Sequence, residues 1–95
     1  MNIPSTPSTP KRQLLRHAIL LQLEAACPAS LPIETLSTGI SLAGHKSSAE
    51  ALLKELSYLE EKQMLSSAFN CLSPAITRYK LTAVGRDYLE TQGLA

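Results

Sequence analysis

The sequence predicts a mainly helical domain with one small antiparallel β-hairpin, an α+β chain in the order α-β-α-α-β-β-α. Three observations lead there. Leu52, Leu56 and Leu59 recur at helical spacing within a capped, charged segment, the mark of an amphipathic helix. Two strand-like stretches, 64–69 and 76–81, flank a loop containing Asn70 and Pro74. The remaining apolar residues fall into helical patterns bounded by Pro, Gly, Ser and Thr.

With 95 residues, one hydrophobic core is the expectation. The opening Met1–Pro10 repeats Pro, Ser and Thr and has almost nothing to bury, so it is expected to be a flexible tail before a domain over 11–95. Aromatic residues make up only 4 % of the chain and Trp is absent, so the core must be built from leucine, isoleucine and alanine. A net charge of +1 supplies no global pull on a polyanion, and any nucleic-acid contact must come from local clustering.

The first helix is expected from Thr9 and Pro10, a cap followed by a proline in the first turn, to about Ala26, with Pro28 helping to stop it. Its apolar stripes are Leu14, Ala18, Leu21, Ala25 and, beside them, Leu15, Ile19, Ala26. Gln13, Arg16, His17 and Glu24 fill the other side. Leu20 projects among them and Leu23 borders them, which makes these two the candidate dimer contacts, unless they are scattered surface leucines.

Ala29–Leu31 allows a brief extended piece, and Ile33–Leu36 a short second helix ending near Gly39, followed by a turn over Leu42–His45. Ser47 with Glu50 fits a capping box for the third helix, with Ser48 the competing cap. That helix runs to about Lys62, its apolar face flanked by Ala49 and Leu53. In the second strand Ile76, Arg78 and Lys80 share one face and Thr77, Tyr79 and Leu81 the other, because strand side chains alternate. Thr82 then caps a final helix whose Val84, Tyr88 and Leu89 return to the core before Gly93.

Two stretches carry a family resemblance. Leu52 to Leu65, with Leu56, Leu59, Glu60, Glu61, Lys62 and Met64, resembles a recognition helix running into the first wing strand. Tyr79-Lys80-Leu81-Thr82-Ala83-Val84-Gly85-Arg86 is similar to the phrase that closes the wing in winged helix-turn-helix transcriptional regulators. The match covers about Lys11 to Gln92, and the Leu-Thr-x-x-Gly ending also resembles winged-helix proteins of Mu-like prophages. One departure is Gln63, where many relatives have the glycine that leaves the helix with positive φ.

The resemblance implies that the third helix enters the major groove while the wing touches the backbone. On that basis Lys46, Ser47, Ser48, Lys54, Arg78 and Lys80 are the candidate DNA contacts. The outward face of the helix carries Ser47, Glu50, Lys54, Ser57, Tyr58 and Glu61, and over 45–62 three Lys stand against four Glu, a poor surface for phosphates. The N-terminal part, with His45, Lys46, Ser47 and Ser48, is better suited. From Lys62 to Arg86 there is no acidic residue, so the wing is expected to be positive, and Lys11, Arg12 and Arg16 form a second basic group.

No arrangement of catalytic side chains, no metal-ligand spacing and no phosphate-binding glycine loop is present, so neither an enzyme nor a cofactor is expected. Cys27 and Cys71 read as buried free thiols, His17 and His45 as surface or capping residues. The longest apolar run is too short for a membrane span and the first ten residues lack the order of a signal peptide. The expectation is therefore a cytoplasmic winged-helix regulator, bacterial or from a prophage, binding double-stranded DNA as a homodimer. The alternative is a protein–protein interaction winged helix, whose acidic third helix or Leu20 surface docks a partner.

Overall fold

The computed structural model describes residues 10–70 and 73–94. The tail before Pro10, the expected Thr9 cap and Cys71 lie outside the described residues, as does the facing of the Ile76 side chain. Four helices surround a three-stranded antiparallel sheet: α1 Pro10–Ala26, β1 Leu31–Pro32, α2 Ile33–Leu42, α3 Ala49–Glu61, β2 Leu65–Asn70, β3 Ser73–Leu81 and α4 Ala83–Thr91. The strand order is β1-β3-β2, so the short β1 joins the hairpin along β3, with Leu31 opposite Tyr79.

The element ends follow local chemistry. The Ser48 hydroxyl accepts from the Ala51 amide at 3.1 Å and caps α3, so the competing cap prevails over Ser47. The Thr82 hydroxyl accepts from the Gly85 amide at 3.1 Å and caps α4 as expected. α3 leaves through Gln63, which adopts φ +65, and the Met64 amide reaches back to the Leu59 carbonyl at 3.0 Å. A glutamine thus takes the left-handed position that glycine fills elsewhere. Its carbonyl accepts from the Thr82 hydroxyl, which ties the end of α3 to the start of α4.

α2 does not stop at Gly39 but runs one turn further, to Leu42, and turns at Gly44 with φ +95. Gly39 is instead a contact point. A Cβ there would meet the Gln22 side chain at 2.5 Å, so its absence lets α2 lie close to α1. The hairpin is also longer than expected: Leu65 pairs with Leu81 and the ladder continues to Phe69 opposite Thr77 and, after an irregularity, Asn70 opposite Ser73. Most of the expected loop over 70–75 is therefore strand.

The core is leucine-rich, as composition demanded: Leu15, Ile19, Leu20, Leu23, Leu36, Ile40, Leu52, Leu56, Leu59, Leu65, Leu81 and Leu89 are buried, with Tyr79. Leu52, Leu56 and Leu59 supply α3's inner face, while Leu53 is exposed. Arg78 and Lys80 are exposed and Tyr79 and Leu81 buried, the alternation expected of β3. Cys27 is a free thiol, half-buried against the core.

Three expectations about helix facing are corrected. Leu20 and Leu23 are 0 % exposed and belong to the protomer's own core, so neither offers surface for a dimer contact. Leu14, assigned to the core stripe, is 55 % exposed, and Ala25 is exposed with it. The reason lies in Arg16, whose side chain is only 13 % exposed because it is paired inside the fold. A ridge that reads as polar, Arg12, Arg16 and Leu20, is a packed face, since an ion pair lets charged residues be buried. Val84 is likewise exposed, at 47 %, whereas Leu89 is buried and Tyr88 half-buried.

Candidate nucleic-acid interface

Four of the six candidate DNA contacts come together. Lys46, Ser47, Ser48 and Lys54, all exposed, line one groove of about 770 Å³ between the start of α1 and the N-terminal half of α3. Lys11, Arg12 and Leu14 form its α1 wall, and His45, Glu50 and Ala51 complete the α3 side. The Ser48 oxygen is already engaged by its own helix, so of the two serines Ser47 is the one not occupied as the cap.

Arg78 and Lys80 lie elsewhere, exposed on β3, and do not line the groove. Arg78 is also structural. Its Nε donates to the Ser30 hydroxyl and its Nη2 to the Ser30 carbonyl, each at 2.8 Å, clamping the segment before β1 onto the wing strand. Two of its five N–H donors are spent in this way.

The structure redistributes the acidic excess of α3. Glu55 is 7 % exposed and points inward, where Arg16 Nε donates to Oε1 at 2.6 Å and Arg12 Nε lies 3.2 Å from Oε2. The Arg16 guanidinium also sits over the Tyr58 ring, 3.9 Å from its centroid. Glu60 accepts from the Ser67 hydroxyl at 2.7 Å, beside the start of the hairpin. The N-terminal half of α3 thus presents Lys54 against Glu50, with Lys46 just before the helix, while Glu60 and Glu61 gather at the other end. With Glu55 paired inside, the exposed charges of this half of the helix cancel, and Lys46 before it leaves the helix start with a positive excess.

Arg12 and Arg16, expected as a surface basic group, are therefore mainly the counter-charges of Glu55. Sequence reasoning missed this cluster, although a signal existed. Position 55 lies three residues after Leu52 and four before Leu59, inside the apolar stripe, and a carboxylate there demands a cation from a packed neighbour. Arg12 and Arg16, one helical turn apart on α1, are placed to supply it.

His17 is half-buried and partnered. A ring nitrogen lies 3.0 Å from the Tyr88 hydroxyl, to which Gln13 also donates at 3.4 Å, joining α1 to α4. Burial lowers its pKa below the usual 6.5, since desolvation penalises the imidazolium. Among the described residues no group of His, Cys, Asp and Glu is arranged to hold a metal ion. No described helix is long and apolar enough to cross a membrane.

No family model matches the sequence, and no curated protein matches it. Among solved structures the chain is similar to the X-ray structure of a PadR-like transcription factor from Bacteroides fragilis. The two share 20 % identity over 87 % of this chain and 80 % of the other, with a TM-score of 0.73. At that identity the likeness is one of architecture. The protein has the winged helix-turn-helix fold, a mainly helical α+β domain.

Proposed function

We propose that the chain is a DNA-binding transcriptional regulator, bacterial or from a prophage, that works in the cytoplasm as a homodimer on double-stranded DNA. The N-terminal half of α3 enters the major groove, with Lys46, Ser47, Ser48 and Lys54 facing the duplex, and Arg78 and Lys80 carry the wing to the backbone. The observation that supports this best is the withdrawal of Glu55 into an ion pair, which leaves Lys46 and Lys54 in excess over Glu50 around the start of α3. A transcription factor among the similar structures agrees with it. A dimer suits such a reader because paired half-sites mirror two-fold symmetry, and it must use surfaces other than Leu20 and Leu23.

A second reading has one observation in its favour. The C-terminal half of α3 combines Glu60 and Glu61 with exposed Tyr58, a surface with both apolar and acidic character that fits a basic protein partner. Binding to a labelled random duplex at low and moderate salt separates the two, with the mass in solution determined on the same sample. Salt-sensitive binding by a dimer is the expected result, and Arg78→Ala with Lys80→Ala should weaken it on every sequence and reduce its salt dependence. Absence of binding at low salt would leave the protein-docking reading in its place.

A further inference from the structure

We propose that the groove between the first turn of α1 and the N-terminal half of α3 seats a stretch of DNA phosphate backbone, which brings Lys11 into the interface beside Lys46 and Lys54. This rests on the DNA-binding reading above and extends it to a helix that the recognition helix and the wing leave out.

Charge complementarity is the first argument. Both walls carry exposed lysines, Lys11 on α1, Lys46 just before α3 and Lys54 on it, and Glu50 is the one carboxylate of the lining that is exposed to solvent. Glu55, at the floor, is held by Arg16 and Arg12 and adds no free negative charge. An anion entering the groove meets a positive rim over an internally neutralised base.

Continuity is the second. Lys46, Ser47, Ser48 and Lys54 line the groove and also face the proposed duplex, so a backbone strand passing α3 enters this groove without any rearrangement of the chain. The kind of cation agrees. Lysines on two separate helices act as mobile point charges that neutralise successive phosphates, whereas a single bound anion would call for converging, rigid donors. Lys54 sits between one and two turns into α3, so the positive charge is spread along the groove and does not converge at one end.

The test is the salt dependence of binding to a labelled random duplex, measured for the full chain and for Lys11→Gln, Lys54→Gln and Lys62→Gln. Lys62 is exposed at the far end of α3 and does not line the groove, which makes it the comparison. Lys11→Gln should lower the slope of log K against log salt by about one, equally on all sequences, as should Lys54→Gln, while Lys62→Gln leaves it unchanged. Thermal melts show that each variant stays folded. If Lys11→Gln keeps the full slope while Lys54→Gln loses it, DNA binds without this groove and the inference falls alone. If the full chain binds no duplex at low salt, the DNA-binding reading falls and takes the inference with it.

Discussion

Replacing Glu55 with alanine removes the acceptor that two arginines of α1 share, and the two losses should be unequal. The Arg16 side chain is 13 % exposed and donates at 2.6 Å, so its bond is a desolvated, charge-assisted one, worth about 1.5 to 3 kcal/mol. Arg12 is 46 % exposed at 3.2 Å, and water screens it to at most about 1 kcal/mol. Arg16 would also be left with little water around its charge, although the Tyr58 ring retains part of the compensation. The expected total for Glu55→Ala is about 3 kcal/mol, a large share of a small domain's stability and a fall of roughly 12 to 24 °C in Tm. Urea unfolding of Glu55→Ala, Arg16→Ala, Arg12→Ala and the two double variants gives the coupling energies directly. The Arg16–Glu55 coupling should be the larger, and high salt should erode the Arg12–Glu55 coupling while sparing it. Equal couplings, or none, would refute the argument that this is a buried cluster orienting α3 on α1.

Gly85→Ala should be among the most destabilising single-methyl additions in the chain, because its Cβ would run into the Met64 carbonyl oxygen and lie 2.7 Å from Leu81 Cδ1. Backbone at the β2–α4 junction cannot give way as a flexible side chain can, so a cost of about 2 kcal/mol or more is expected by urea unfolding. His17 predicts a pH effect. Its pKa is lowered in the folded chain, so the unfolded chain binds the proton more readily, and stability is full above pH 6.5 and declines as pH falls below it toward the lowered value. Stability measured against pH should lose this acid-side decline in His17→Gln, which can still meet the Tyr88 hydroxyl; an unchanged profile would assign the decline to other groups.

Much of the architecture is readable in short stretches of chain. Ser48 and Thr82 cap because a hydroxyl three residues before a free amide is in reach whatever the rest of the molecule does. The leucines of α3 and the alternation of Arg78, Tyr79, Lys80 and Leu81 announce which side faces inward, since periodicity is a property of the element alone. The candidate contacts Lys46, Ser47, Ser48 and Lys54 are equally local, being neighbours along one helix start.

What the sequence by itself determined, then, is the order of elements, the Thr82 cap, the leucine core of α3 and the sidedness of the wing strand. Tertiary packing decided which ridge of α1 is buried, because leucines lie on every side of that helix and only its neighbours select among them. Packing also decided that Arg12 and Arg16 serve Glu55, a partner 39 residues from Arg16, and that Lys11 shares a groove with Lys54. These are pairings between distant stretches, and a charge shows its sign in the sequence but meets its counter-charge only when helices come together.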